Sequence, residues 1–218
     1  MFFGISELFL HPDAFFERVS REKVNLVPPL VIVRTGAFFF AIIHVLYWVW
    51  DRSGWSFAVF SYGSIIGEDV MSLIATSVIL PFVIWGLFSV LIHVLSRMSG
   101  GTGSFPATVR VVGYGMLPWT VSAIIPFIVF LHKFFTYIDP WVGGHSGIWL
   151  MPPMYCELPL LGIMIWGCYL WTLGVVHTHH LPLKRAAAVT AIPVVAFLLL
   201  SLPVLWYTEM ARGLLTGG

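Results

Sequence analysis

From Val70 to Ser96 no Asp, Glu, Lys or Arg interrupts a mostly apolar sequence. A helix of about 20 apolar residues crosses the hydrocarbon core of a bilayer, so a run of this length has few folds open to it. Four further apolar runs cover about residues 27–50, 111–132, 158–176 and 186–207, beside this one at 70–96. A soluble domain carries roughly a quarter charged residues, whereas 10% of the 218 residues are charged here and 59% are apolar. That balance excludes a water-soluble globule. The runs are continuous rather than alternating, which predicts helices instead of barrel strands. The expected fold class is therefore all-α: an integral membrane bundle of five transmembrane helices, forming a single domain over residues 1–218.

Residues 5–25 precede the first run and read as a short amphipathic interfacial helix. Pro12 and Asp13 suit a first helical turn, and Phe15, Phe16 and Val19 share one face while Asp13, Glu17, Ser20 and Arg21 lie elsewhere. Such a helix lies at the membrane surface; a frayed polar terminus is the other reading of the same residues. A cleaved signal peptide is disfavoured, because the start is not basic and Asp13, Glu17 and Arg18 stand where a cleavage region would be.

Lys and Arg in the connections set the orientation. Arg18, Arg21, Lys23, Arg34, Arg97, Arg110, Lys184 and Arg185 fall on one side, against Arg52, Lys133 and Arg212 on the other. The bias puts the N-terminus in the cytoplasm and, with five spans, the C-terminus outside. A net charge of +1 gives no footing for nucleic acid. The acids Asp51, Glu68, Asp69, Asp139 and Glu157 gather on the outer side. Helix N-terminal charge explains Glu68, Asp69 and Glu157, and a divalent cation among these carboxylates is the sharper alternative.

The stretch "SGGTGSF", residues 99–105, connects the second and third runs. It lacks the Gly-Lys-Ser/Thr ending of a phosphate loop and follows a membrane helix rather than a strand. Gly100, Gly101 and Gly103 are expected to stop the second helix and permit a tight return. The eight histidines raise a metal hypothesis, with His93, His177 and His180 as weak candidate ligands. His177 and His180 are three apart and could share a helix face, yet no acid lies near to complete a closed site, and anchoring of helix ends at the interface explains them as well. "GHSG", residues 144–147, has the look of a serine-protease motif, but the histidines following it at 177–180 lie across the membrane, about 30 Å away. Cys156 and Cys168 stand on or next to one helix, too far apart to pair within it.

The sequence "HVLSRMSGGTGSFPATVRVVGYGMLPWTVSAIIP" from His93 resembles the Yip1 family of polytopic membrane proteins, with its His-containing second span, Gly-Gly-x-Gly-Ser loop and Gly-Tyr-x-x-x-Pro entry to the third span. "LFLHPDAFFERV" resembles the short helix that precedes the first span in that family. The resemblance implies a five-span fold. Its eukaryotic relatives sit in Golgi and endoplasmic-reticulum membranes and are linked to vesicle traffic and prenylated Rab GTPases. The long hydrophilic N-terminal region of those relatives is missing from this sequence, which points to a compact prokaryotic-type member in the cell membrane.

The expected function is a non-enzymatic, Yip1-like membrane-organising scaffold or adaptor, with no cofactor. Its surroundings are the lipid bilayer, and its partner is another protein or a second copy of itself. Contact candidates are Phe15, Phe16 and Arg18 on the N-terminal helix and Arg97, Gly100, Gly101, Gly103 and Arg110 in the loop. The alternative is a small-solute or ion carrier, or a subunit of a transport complex. Prolines in or at the start of every run could break helices as transporters do. Against it, no Asp, Glu or Lys lies mid-run, His44 being the nearest titratable group.

Overall fold

A computed structural model describes residues 3–52, 70–137 and 154–215, and every regular element among them is helical. In chain order these are α1 (Phe3–Leu10), α2 (Pro12–Arg21), α3 (Val27–Arg52), α4 (Val70–Met98), α5 (Phe105–Gly115), α6 (Leu117–Tyr137), α7 (Met154–His179) and α8 (Leu183–Leu215). Among the described residues, three stretches are long and apolar enough to cross a membrane: Val27–Leu46, Ile74–Met98 and Phe105–Ile125. The surface of α4 is largely open, with Ile79, Val83 and Leu87 exposed, as a helix facing hydrocarbon can be. The stretch through α5 has most of its residues buried inside the protein.

The N-terminal segment is two helices rather than one. Pro12 has no N–H to continue α1 and restricts the residue before it; His11 accordingly leaves helical geometry, with φ −139° and ψ 60°. Helix α2 then starts with Pro12, carries Asp13 in its first turn and ends with Arg18 and Arg21 in its last, each suited to the helix dipole. Its stripe of Phe15, Phe16 and Val19, which the sequence assigns to the membrane surface, meets protein instead and is buried. The physical reason is that α5 and α7 supply a better-packed apolar surface. Phe15 meets the Tyr114 ring edge to face at 4.9 Å, and Phe16 joins the core with Val111, Trp171 and Val175. The polar side is tied by Arg18 to Glu7 and Glu22, and by Arg21 to Glu17.

The third apolar run also differs from expectation. Helix α5 begins at Phe105, inside the segment expected to be loop, with Ser104 at its N-cap and Pro in the first turn. A break follows at Met116, where Pro118 two residues on cannot donate; the Met116 N–H closes the turn on Val112 and Gly113 carbonyls at 3.1 and 3.2 Å. Two indoles brace α5 from opposite neighbours. Trp85 of α4 donates to the Val109 carbonyl and Trp171 of α7 to that of Val112, both at 2.9 Å. Around this axis Ile92, Val111, Val112, Leu170 and Val175 are sealed from solvent. Helices α7 and α8 are pinned by the Thr172–Thr190 hydroxyl pair at 2.7 Å. Ala37 is buried as well, so this small residue serves packing within the chain.

Candidate functional site: the histidine-clasped loop

Helix α4 ends at a glycine because the turn requires one. Gly100 sits at φ +92°, a conformation side chains with a Cβ rarely adopt. The Gly101 N–H reaches back to the Ser96 carbonyl at 2.8 Å and that of Gly100 to Arg97 at 3.1 Å, the paired bonds of a Schellman motif. Gly101 and Gly103 do a different job. A Cβ on Gly101 would come within 2.9 Å of both the His179 Cβ and the Ser96 carbonyl oxygen. One on Gly103 would come within 2.6 Å of the Thr178 carbonyl oxygen and 2.9 Å of His179 Nδ1. The loop thus lies directly on the end of α7, and its Thr102 N–H bonds the His179 carbonyl at 3.2 Å.

Beneath the loop three helices share one hydroxyl. Thr108 Oγ1 of α5 stands 2.8 Å from His179 Nε2, 3.1 Å from His93 Nδ1 of α4, and 3.2 Å from the Ser104 carbonyl oxygen. A carbonyl can only accept, so Thr108 donates to Ser104 and both imidazoles donate to Thr108. That leaves His179 Nδ1 without a partner, and Ser96 Oγ beside the same loop is also unpartnered. Thr108, Ser96 and His179 are all sealed from solvent. A hydroxyl between two imidazoles has the elements of an activated nucleophile, but here it is closed over and committed to a carbonyl. The arrangement ties α4, α5 and α7 together under the loop.

A second polar tie joins the N-terminal helices to the bundle. Arg110 of α5 is buried, and its guanidinium donates to the carbonyls of Val19 at 2.6 Å, Lys23 at 3.2 Å and Glu22 at 3.4 Å. These are the last carbonyls of α2 and the residues after it, where the helix dipole favours a cation. His177 adds an outer contact, its Nε2 lying 2.8 Å from Asp13 Oδ1.

The whole of this geometry, from the N-terminal helices to α8, lies within one family pattern. A family model for the Yip1 domain matches residues 6–205. The chain belongs to the Yip1 family. An uncharacterized protein of the archaeon Methanocaldococcus jannaschii is 25% identical over 127 residues, covering 56% of this chain and 84% of the relative. No solved structure matches.

In this Yip1 protein the contact candidates divide by accessibility. Arg18, Arg97 and Gly100 are exposed; Gly103 is half-buried; Phe15, Phe16, Gly101 and Arg110 are buried against their own chain. Arg97 also bonds the Gly101 carbonyl at 3.2 Å. The metal candidates are not brought together: His93 joins Thr108, His177 turns to Asp13, and His180 is exposed past the end of α7. Among the described residues no three His, Cys, Asp or Glu side chains group as a metal site. His179, the histidine that the clasp uses, was hidden by its neighbours. Its signal is helical phase, since Trp171, Val175 and His179 recur every four residues on the buried face of α7.

The 144–147 motif and the acids Glu68, Asp69 and Asp139 lie outside the described residues, as do the side chains of Asp51, His132, Cys156 and Glu157 on their helices. Cys168 is a free thiol, 3.8 Å from Thr190 Oγ1.

Proposed function

We propose that this Yip1 protein is a non-enzymatic scaffold or adaptor, a single membrane domain of five spans that holds a protein partner or a second copy of itself. The N-terminus is cytoplasmic and the C-terminus outside, as the Lys and Arg bias argues. A prokaryotic cell membrane is the proposed location, consistent with the archaeal relative. One observation supports the scaffold reading: the Thr108 hydroxyl and His179 are sealed from solvent, and with His93 they join three helices. The outer side of α2 meanwhile presents Glu17, Arg18 and Arg21 to solvent on a helix firmly docked at its other face. A rigid polar surface on a membrane anchor serves recognition better than chemistry.

A carrier is the second reading, favoured by one pair inside the bundle. His44 of α3 lies with Nδ1 2.7 Å from the Phe40 carbonyl oxygen and 3.1 Å from Ser77 Oγ of α4. Titratable groups within spans often mark ion paths, but this one is held by its own helix and a neighbouring hydroxyl. Gentle detergent extraction of natively expressed protein, followed by mass spectrometry, separates the two. A scaffold is expected to bring down a constant protein partner in stoichiometric amount. A lone protein that supports His44-dependent flux in reconstituted vesicles would contradict it.

A further inference from the structure

Charge is unevenly shared at the end of the molecule where the 99–104 loop lies. Of the four carboxylates with described side chains, Glu7, Glu17 and Glu22 are paired with Arg18 or Arg21, and Asp13 contacts His177. Arg97, Lys184 and Arg185 are exposed, and among the described residues no carboxylate lies within ion-pair distance of any. The two arginines converge on one short segment: Arg97 bonds the Gly101 carbonyl at 3.2 Å and Arg185 that of Ser99 at 3.4 Å. A single backbone bond leaves each guanidinium with donors to spare.

Apolar side chains border this cationic corner. Met98, the last residue of α4, is 79% exposed. Phe105 and Leu183, the first residues of α5 and α8, are exposed as well. From Met98 an open apolar track descends α4 through Val94, Leu91 and Leu87, spaced to share one helix face. Cations above and a hydrocarbon track below match the two ends of a phospholipid. An acidic protein would account for the cations but not for the track.

We propose that Arg97, Lys184 and Arg185 bind the phosphate of an anionic phospholipid whose acyl chain lies along α4. The assignment rests on the membrane character of the chain but not on the scaffold role, since it concerns lipid and not protein. Each basic residue near an anionic membrane surface contributes about fivefold in affinity.

The test is native mass spectrometry of the purified full-length protein in detergent, titrated with phosphatidylglycerol or with phosphatidylcholine of the same chains. Phosphatidylglycerol is expected to bind in preference. The R97Q/K184Q/R185Q variant is expected to lose at least about tenfold of that binding, with phosphatidylcholine binding and helicity by circular dichroism unchanged. K184Q and R185Q singly, at exposed positions, give the same reading as smaller losses should the triple variant not fold. An R18Q/R21Q control is expected to bind phosphatidylglycerol normally. Equal binding of the two lipids, or undiminished phosphatidylglycerol binding by the variants, would overturn the proposal. So would complete displacement by millimolar inorganic phosphate, which would make the ligand free phosphate rather than a lipid.

Discussion

Replacing Gly115 by alanine is expected to destabilise the protein by about 3 kcal/mol, at the upper end for overpacking of a core. A Cβ at this position would stand 2.0 Å from Trp171 Cδ1 and 2.1 Å from its Nε1. The indole has little room to retreat, because it is buried and packs on Phe88 with ring centroids 5.0 Å apart. Moving it also breaks the bond from its N–H to the Val112 carbonyl, leaving a buried donor unsatisfied. The pairing predicts its own rescue. Trp171→Leu should be costly alone, but combined with Gly115→Ala the loss should fall well short of the sum, since the smaller side chain removes the clash. Thermal or denaturant unfolding of the four proteins in detergent checks this. Additive losses would mean that Gly115 and Trp171 are not in the contact described.

Arg110→Ala is expected to cost about 3 kcal/mol and to loosen α2 specifically. Three charge-assisted bonds to carbonyls are lost, each worth roughly 1.5–3 kcal/mol in a buried setting. The total stays well below the sum of three such bonds because the Glu22 and Lys23 carbonyls belong to exposed residues, and water takes the place of the lost donors there. Arg110→Met sharpens the test. If the arginine only filled space, an apolar side chain of similar length would be tolerated; with the carbonyls of α2 left behind, loss is expected here too. Lysine should recover only part, because one ammonium cannot reproduce the spread of a guanidinium fork. Hydrogen exchange should rise over residues 12–23 in each variant before it rises in α5. Uniform protection across the chain would show that Arg110 does not hold the N-terminal helix.

These two residues also show where sequence pattern stops. The helical, membrane-embedded character follows from continuous apolar runs, and the Gly100 stop from ordinary turn chemistry. The stripe of Phe15, Phe16 and Val19 is visible as an apolar face. What covers that face is a tertiary fact, and only the packing of α5 and α7 decides it. Arg110 looks like a loop residue because a charge in a Gly-rich, polar neighbourhood is usually solvated. It becomes a buried helical residue because carbonyls from residues 19–23, far away in sequence, satisfy it. The glycines divide for a similar reason. Gly100 is needed for its own backbone, which local rules foresee, whereas Gly101 and Gly103 make room for a histidine some 75 residues on. The clasp was within reach from periodicity alone. The four-residue recurrence of Trp171, Val175 and His179 separates His179 from His177 and His180 on α7, although "HTHH" as a string draws the eye to a metal.

The packing bears on function through what it leaves available. Thr108 and Arg110 are committed to joining helices, and among the described residues the exposed surfaces include an apolar exterior, a cationic corner and the outer side of α2.

The most direct test of the scaffold role is position-resolved photocrosslinking in native membranes, with the crosslinking residue placed at Arg18 on the open side of α2 or at Phe16 on its buried side. A scaffold that recognises its partner through this helix predicts a discrete protein adduct of constant mass from position 18 and only intramolecular products from position 16. Absence of any protein adduct from position 18, in membranes where the protein is active, would contradict it.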